Sequence, residues 1–364
     1  MKLYCFMGLV FVMDQISSPD LSRDHANGFE NTTMKKIQFS RFGPASDVLE
    51  CVDASDPRVL DTCEVLIDMI YMPLNPSDIM MTEGVYGGAP PPLPCNMGRE
   101  GVGRVVEVGA GVSGFGINDL VVPFTGPTWQ SKIVRKADFL IPLPSNINLQ
   151  QAAMLRSGPA TASLLLTDFV DLKCSDWAIQ NAGNSAVGTC FAQLAATRGI
   201  RTVNIVRRRE SGVHLLDVPG AIVIEHTGGP SPELKQKVDD VTDGEPIRLG
   251  LDAIAGPSTD ALAQSLATGA TLVNYGVLSK EPCHIYGGHL HFRNIIMRGF
   301  WISQWLQQAT PAAIQELYGG LAKQVNTGVL HMAVAAEYSF SQIGDAAAHA
   351  ARESRDGKVL IRSK

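Results

Sequence analysis

Two short segments near the middle of the chain carry residue types that suit the binding of phosphate groups. The first, residues 177–188, joins an apolar stretch to Gly183, Ser185 and Gly188, a pattern typical of a strand, a tight turn and the start of a helix. Backbone N–H groups and the helix dipole at such a start favour a pyrophosphate. The segment predicts a dinucleotide-binding β-α-β unit. An ordinary strand-turn-helix in an α/β domain without a nucleotide is the alternative.

The second segment is the arginine run 207–209, directly after a predicted strand over residues 202–206. A unit that binds NAD carries an acidic residue about 20 residues on, for the ribose 2′-hydroxyl. A forked guanidinium instead suits a 2′-phosphate, so the run predicts NADPH. A solvated basic turn is the alternative. The coenzyme contacts predicted from both segments are Asn184, Ser185, Ala186, Val187, Gly188, Arg207, Arg208 and Arg209.

Composition restricts the class of protein. The 364 residues allow two domains and a large core. A hydrophobic content of 45% with 18% charged residues is typical of soluble globular proteins. The net charge of −6 argues against general nucleic-acid binding. The seven cysteines form no C-x-x-C pair, which argues against a disulfide framework or a structural zinc site and favours a reducing, cytoplasm-like compartment.

The first 33 residues differ from the rest of the chain. Their apolar run, residues 3–13, is too short to span a bilayer, where about 20 apolar residues are needed. The run has neither the flanks of a signal peptide nor the arginine content of a transit peptide. Residues 14–33 are polar. We therefore expect a disordered extension and no membrane association.

The elements that must position the phosphate-binding segments follow from the alternation along the chain. Short strands separated by Gly and Pro predict a compact β-barrel-like region, and the later strands alternate with helices as in a parallel sheet covered on both faces. The predicted fold class is α/β, a Rossmann-type doubly wound parallel sheet with a β-rich domain. Predicted strands cover 35–39, 65–71, 101–109, 120–123, 129–134, 177–180, 202–206, 222–224, 249–253, 270–275, 298–302, 334–338 and 358–362; predicted helices cover 150–154, 159–169, 186–197, 258–266 and 312–324.

This organisation resembles the medium-chain dehydrogenase/reductase superfamily, and within it the 2-enoyl thioester reductases of the mitochondrial trans-2-enoyl-CoA/ACP type. The resemblance covers residues 34–364. It implies a GroES-like catalytic domain over residues 34–156 and 305–364, and a Rossmann NADPH-binding domain over residues 157–304. It also implies a homodimer through the last strand of the parallel sheet, near Phe300. The matching segments are LNPSDI (74–79), EGVY (83–86), GREGVG (98–103), QNAGNSAVG (180–188) and RTVNIVR (201–207).

The resemblance implies a zinc-free reduction in which Tyr86 is the acid. Zinc-dependent members use a Cys and a His-Glu pair, whereas residues 76–78 and 98–100 here contain neither Cys nor His. Hydride addition to an enoyl thioester places negative charge on the thioester oxygen, which a nearby hydroxyl stabilises while it supplies a proton. A tyrosine, with an ordinary pKa near about 10, holds that proton at neutral pH. Packing of Tyr86 on prolines 90–92 is the alternative.

Further site residues also come from the resemblance. Backbone at Tyr275, Gly276, Val277 and Leu278 is expected beside the nicotinamide. Phe300, Trp301 and Ile302 are expected beside both the nicotinamide and the acyl pocket, and Lys358 is expected to reach the coenzyme. Core packing of Phe300 and Trp301, and an exposed Lys358, are the alternatives. One departure is Gly158, which stands where the family carries an asparagine that helps to hold the coenzyme.

Two other functions stay open on the sequence. One is a zinc-free NADPH quinone or enone oxidoreductase of the same superfamily, and the other is a non-catalytic NADPH-binding protein, because a fold does not determine a function. Acyl length, the carrier (CoA or acyl carrier protein) and the pathway, fatty-acid or specialised polyketide metabolism, are equally open. A mitochondrial location is implied by the resemblance alone.

Overall fold

The computed structural model describes residues 33–57, 61–87, 89–353 and 356–363. Residues 1–32 of the predicted N-terminal extension lie outside these described residues, whereas Thr33 begins the first strand. Within the described ranges, no helix has the length and apolar content needed to cross a membrane.

The strands and helices of these ranges alternate along the chain. The strands are β1 (Thr33–Phe39), β2 (Leu49–Ser55), β3 (Glu64–Pro73), β4 (Cys95–Asn96), β5 (Val102–Val108), β6 (Leu120–Pro123), β7 (Lys132–Lys136), β8 (Leu140–Pro142), β9 (Trp177–Gln180), β10 (Arg201–Val206), β11 (Ala221–Glu225), β12 (Ile247–Asp252), β13 (Thr271–Asn274), β14 (Ile296–Gly299), β15 (Val334–Ser339) and β16 (Lys358–Arg362). The α-helices are α1 (Ala45–Val48), α2 (Pro76–Thr82), α3 (Leu149–Ala153), α4 (Gly158–Thr167), α5 (Ala186–Thr197), α6 (Pro232–Thr242), α7 (Pro257–Ser265), α8 (Gly287–Arg293), α9 (Ile302–Gln308), α10 (Pro311–Asn326) and α11 (Ile343–Ala351).

Six central strands form a parallel sheet in the order β11-β10-β9-β12-β13-β14. Strands β9, β10 and β12 are almost continuously buried, as expected for a parallel sheet with helices on both faces. This order is that of a doubly wound dinucleotide-binding sheet, where a ligand lies beyond the carboxyl ends of the strands, beside the β9–β12 reversal. The predicted α/β class with a Rossmann-type sheet is confirmed.

A second, mostly antiparallel sheet contains the strands that precede and follow the parallel sheet along the chain. Its order is β15-β16-β3-β5-β6-β8, and β7 also pairs with β3. Strand β16 pairs with β3 so that Leu360 lies opposite Pro73, and the tail therefore returns to the first region as predicted. A small sheet of order β2-β1-β4 lies in the same region. The β-rich part of the predicted fold is confirmed as well.

The last strand of the parallel sheet ends earlier than the sequence predicts. Strand β14 covers Ile296–Gly299, and α9 already begins at Ile302, so the predicted strand over residues 298–302 is wrong in its limits. The neighbouring β13 ends at Asn274, whose carbonyl accepts the N–H of Phe300 at 2.9 Å. In the described part of the chain, β13 and β14 do not pair beyond that bond. The predicted strand over residues 129–134 is likewise displaced, to β7.

One hydrophobic cluster joins the two sheets. It contains Val102 from β5 and Val122 from β6 together with Ala178 from β9 and Leu251 from β12, all of them fully buried or nearly so. Because protein interiors are close-packed, such a shared core fixes the relative position of residues carried by either sheet. The side chains described next come from both.

Candidate active site

The turn between β9 and α5 has the geometry of a phosphate-binding turn. A Cβ added at Gly188 would lie 2.6 Å from the carbonyl oxygen of Gly183, and one added at Gly183 would lie 2.7 Å from Cβ of Asn204. Both positions therefore require glycine. Ser185 begins the helix, and its Oγ accepts the N–H of Gly188 at 3.1 Å. The N–H groups that precede Gly188 at the start of α5 have no carbonyl partner inside the helix, so they are available to an anion.

The other predicted residues of this turn lie around that helix start. Ala186 and Val187 form the first turn of α5 and are half-buried, and Asn184 is exposed. Gly158 begins α4 beside them, and a Cβ added there would lie 3.5 Å from Cβ of Ala186, an ordinary contact.

A buried hydroxyl faces the same turn. The oxygen of the Tyr275 side chain lies beside the Ser185 hydroxyl, but within the part of the chain that the structure describes no contact of it has hydrogen-bond geometry. Burial raises the pKa of this phenol above its usual value, and the nearby Ser185 hydroxyl opposes that shift. An orphaned buried hydroxyl is costly unless a ligand or water satisfies it. Its position beside the start of α5 fits a bound dinucleotide.

The residues after Tyr275 continue along the carboxyl edge of the sheet. A Cβ added at Gly276 would lie 2.6 Å from the carbonyl oxygen of Ala253, so the backbone passes close to the end of β12. Val277 and Leu278 then expose about two fifths to one half of their surface, 42% and 47%. The structure thus places the predicted 275–278 segment at the edge where the phosphate turn also lies.

Buried amide and carboxylate groups hold these strand ends together. Asn181 Nδ2 donates to Asp252 Oδ1 at 2.7 Å, and Asn181 Oδ1 accepts the N–H of Ala253 at 2.8 Å. Thr259 Oγ1 donates to the other oxygen of Asp252 at 2.7 Å. Because every one of these atoms is engaged, the ends of β9 and β12 keep a single spacing, as a preorganised ligand site requires.

The three predicted arginines are all exposed but do not share one contact. Arg207 forms an ion pair of 3.4 Å with Glu353. Arg208 lines a cleft of about 310 Å³, and Arg209 lines a different cleft of about 320 Å³ on the side of α6. The structure therefore separates Arg209 from Arg208, which the sequence placed in one group.

Tyr86 and Trp301 meet across the two sheets. The indole Nε1–H of Trp301 donates to the phenolic oxygen of Tyr86 at 2.9 Å, and the rings meet edge to face at 6.2 Å. The guanidinium of Arg99 lies 5.4 Å from the centre of the Tyr86 ring. Since the indole occupies one lone pair of the phenol, the phenolic hydrogen stays available to a second acceptor. Gly84 and Gly87, with φ of 75° and 77°, permit the loop that carries Tyr86.

The residues on either side of Trp301 have separate roles. The ring of Phe300 packs edge to face on that of Phe169 at 6.0 Å, the core-packing alternative noted for this position. Ile302 begins α9 and is half-buried. Only Trp301 of the predicted 300–302 segment contacts Tyr86 through a described hydrogen bond.

Lys358 lies in a buried polar network that sequence reasoning missed. Its Nζ donates to Asn75 Oδ1. Asn75 Nδ2 donates in turn to Glu100 Oε1 at 2.5 Å, and the second oxygen of Glu100 accepts the N–H of Ser157 at 2.9 Å. Burial raises the pKa of the Glu100 carboxyl, while the charge of Lys358 lowers it. The network connects the tail strand, the start of α2 and the start of α4.

A second buried carboxylate lies beside this network. Asp78 accepts the N–H of Asn75 at 2.9 Å, and burial raises the pKa of Asp78 to about 6. Both carboxylates fall in segments that carry the family resemblance, but nothing in their local pattern indicates burial. Within the described ranges, no group of three His, Cys, Asp or Glu side chains could hold a metal ion.

Two protein families match the chain. The alcohol dehydrogenase GroES-like domain family matches residues 61–144, and the family described as zinc-binding dehydrogenase matches residues 186–318. Among similar proteins, the mitochondrial enoyl-[acyl-carrier-protein] reductase of Dictyostelium discoideum is 32% identical over 91% of this chain and 95% of its own length. The human protein of that name is 36% identical, over 83% of this chain and 81% of its own length.

Solved structures agree in fold. A protein assigned as an NADPH:quinone reductase from Bacillus thuringiensis is 31% identical to this chain, with a TM-score of 0.83. The match covers 92% of this chain and 100% of that one. The complex of Etr1p with NADP and crotonyl-CoA is 26% identical with a TM-score of 0.79, over 91% of this chain and 100% of that one. Together with the two relatives, these matches assign the chain: it belongs to the enoyl thioester reductase family of the medium-chain dehydrogenase/reductase superfamily.

Proposed function

We propose that the chain is an NADPH-dependent reductase that converts trans-2-enoyl thioesters into saturated acyl thioesters, with CoA or acyl carrier protein as the carrier. The observation that carries this proposal is the hydrogen bond from Trp301 to Tyr86, which leaves a phenolic proton available beside the carboxyl edge of the parallel sheet. Family membership supports the same reaction, because the relatives are named as enoyl reductases.

The residues of this chain fit the coenzyme in a consistent order along the sheet edge. Asn184, Ser185, Ala186, Val187 and Gly188 would bind the pyrophosphate through the start of α5, and Arg207–Arg209 would bind the 2′-phosphate. Residues 275–278, 300–302 and Lys358 would lie toward the nicotinamide. The buried hydroxyl of Tyr275 supports this placement, because it lies beside Ser185 of the turn and makes no contact of hydrogen-bond geometry in the described ranges.

Tyr86 would act as the general acid. When bound, NADPH supplies a hydride to Cβ of the substrate. The double-bond electrons then move toward the thioester carbonyl, and the Tyr86 hydroxyl would stabilise the resulting enolate and transfer its proton to Cα. Water would return the proton to Tyr86. One hydride and one proton are thus added across the double bond, and the thioester is left intact.

The experiment that tests the proposal is NADPH oxidation with a chain-length series of trans-2-enoyl-CoA and enoyl-carrier-protein substrates. We expect saturated thioester to form in a one-to-one ratio with NADPH consumed. An enzyme that binds NADPH but reduces no member of either series would contradict the proposal.

A second function has a specific observation in its favour. The similar structure from Bacillus thuringiensis is assigned as an NADPH:quinone reductase, and its identity of 31% exceeds that of the Etr1p complex. A quinone or enone substrate would need no thioester carrier. Turnover of quinones without turnover of enoyl thioesters would favour this function over the first.

We also propose the domain limits that the sequence predicts: a GroES-like domain over residues 34–156 and 305–364, and a Rossmann domain over residues 157–304.

The proposed catalysis needs no zinc. Its support is that residues 76–78 and 98–100, where zinc-dependent members carry their ligands, contain neither Cys nor His. Metal analysis and activity after dialysis against a chelator would test this part.

A homodimer is proposed through the edge of the parallel sheet. Strand β14 is the terminal strand of that sheet, and Ile296 on it is 48% exposed. Phe292, just before it, is 77% exposed. Comparing the sedimentation of the wild type with that of Ile296→Lys would test the interface.

For the cellular compartment, we propose a reducing one, either the cytoplasm or the mitochondrial matrix. The mitochondrial matrix is included because the relatives are named mitochondrial.

A further inference from the structure

Two carboxylates of the returning tail lie near the arginines of residues 207 and 208. Between α11 and β16, Oε2 of Glu353 lies 3.4 Å from Nη1 of Arg207. Asp356, three residues further on, lines the same cleft as Arg208. The arginines that would receive the 2′-phosphate are therefore approached by carboxylates from a distant part of the chain.

The contents of that cleft bear on coenzyme choice. Its lining consists of Arg208, Glu210, Ser211 and Asp356, so one guanidinium and one hydroxyl share about 310 Å³ with two carboxylates. A phosphate monoester carries between one and two negative charges at neutral pH, by analogy with phosphorylated side chains. Carboxylates beside it repel it, and a guanidinium already paired with a carboxylate must exchange partners before it binds phosphate.

We propose that Glu353 and Asp356 are specificity-determining residues, which weaken the binding of the 2′-phosphate and so narrow the preference of the enzyme for NADPH over NADH. The inference rests on the proposed function, because it concerns the coenzyme of that same reaction. NADH has no 2′-phosphate, so its binding is independent of both carboxylates.

The expected effect is moderate. The side chains of Arg207 and Glu353 are 60% and 82% exposed, and solvent screens interactions between such groups. We therefore expect each carboxylate to alter NADPH affinity by about two- to five-fold at low salt. The effect should shrink as ionic strength rises, since the Debye length falls to about 8 Å at physiological salt.

The experiment measures dissociation constants for NADPH and NADH by fluorescence titration of the full chain. The variants are Glu353→Gln, Asp356→Asn and the double variant. The matched control is Glu245→Gln, because Glu245 pairs with Arg201 at the opposite end of β10 from Arg207. We expect each of the two single variants to bind NADPH about two- to five-fold more tightly at low salt, with NADH affinity unchanged. The control should match the wild type for both coenzymes.

Three results would overturn the inference in distinguishable ways. If the wild type binds NADPH and reduces enoyl thioesters but all variants bind NADPH as the wild type does, only this inference fails. If the wild type does not bind NADPH, the proposed function fails and this inference fails with it. If the variants bind NADPH and NADH more tightly by the same factor, the inference is also overturned, because the carboxylates would then not act on the 2′-phosphate.

Discussion

The indole of Trp301, which follows the last strand of the parallel sheet, donates a hydrogen bond of 2.9 Å to the phenolic oxygen of Tyr86, which follows α2 of the β-rich region. The pair joins the two halves of the proposed site in one contact. Because the indole can only donate, the direction of this bond is certain, and the phenol keeps its own proton for a substrate. The position of the proposed acid therefore depends on a residue 215 positions away.

Tyr86→Phe should lower the turnover number by about 10²-fold or more, since it removes the proton donor and keeps the ring. The dissociation constant of NADPH should stay close to the wild-type value. Steady-state rates with crotonyl-CoA and a coenzyme titration measure the two quantities. Tyr286→Phe is the control, because Tyr286 is 65% exposed and distant in sequence from the proposed acid. Turnover equal to that of wild type in Tyr86→Phe would remove Tyr86 from the mechanism.

Trp301→Phe should lower the turnover number by about five-fold, which corresponds to the loss of one hydrogen bond of about 1 kcal/mol. The reason is that the phenol loses the group that orients it. Combined with Tyr86→Phe, the substitution should cause no further loss, because a double-mutant cycle removes the shared interaction only once. Trp305→Phe, one turn further along α9, is the matched control. Additive losses in the double variant would mean that Trp301 acts independently of Tyr86.

How far the sequence predicts this site depends on whether the signal is local. Gly183, Ser185 and Gly188 serve a turn built from neighbouring residues, so their pattern predicted the turn and the helix start correctly. The bond between Tyr86 and Trp301 depends on how two sheets pack, and no local pattern contains it. The sequence also extended the last strand to residue 302, because the apolar run does not reveal that β13, its partner, ends at Asn274.

The buried charges show the same limit more strongly. Glu100 and Lys358 are residue types that usually lie in solvent, and their segments contain no sign of burial. Asn75 connects them only because the tail strand β16 pairs beside the end of β3. The resemblance suggested Lys358 as a coenzyme contact, but its hydrogen bond to Asn75 became visible only in the folded chain. Helix α11 was missed although its buried side chains, among them Ile343 and Ala350, recur at helical spacing.

Asp78→Asn should change the pH dependence of stability in a defined direction. Burial raises the pKa of Asp78 from 3.8 to about 6, so the folded state retains a proton that the unfolded state releases. Between these two values the free energy of unfolding of the wild type should fall as pH rises, by at most about 1.4 kcal/mol per pH unit from this group. Above about pH 6 the contribution is fully lost.

The neutral amide of Asp78→Asn can still accept the N–H of Asn75, so this part of the slope should vanish while the fold persists. Urea unfolding of both proteins at several pH values between 4 and 7 measures the difference. Asp53→Asn, at an exposed position of β2, is the control. A slope unchanged by Asp78→Asn would show that the carboxyl is ionised in the folded state throughout this range.

Gly158→Asn should tighten coenzyme binding. The Cβ of a side chain at this position would make ordinary contacts, 3.5 Å to Cβ of Ala186 and 3.7 Å to Sδ of Met332, so the Cβ of an asparagine meets no clash beside the first residue of α5. The family resemblance implies that an asparagine here helps to hold the coenzyme. One added hydrogen bond of about 1 kcal/mol corresponds to about five-fold tighter NADPH binding.

Gly158→Ala separates this effect from that of filling the space, because alanine supplies the Cβ without the amide. The alanine variant should bind NADPH as the wild type does. The buried amide of Gly158→Asn needs a partner, so this variant should also gain more thermal stability than the wild type when NADPH is added. Fluorescence titration and thermal unfolding with and without NADPH measure both effects. Weaker NADPH binding by the asparagine variant would mean that this chain arranges the coenzyme beside α4 differently from its relatives, with Gly158 keeping space that the coenzyme itself uses.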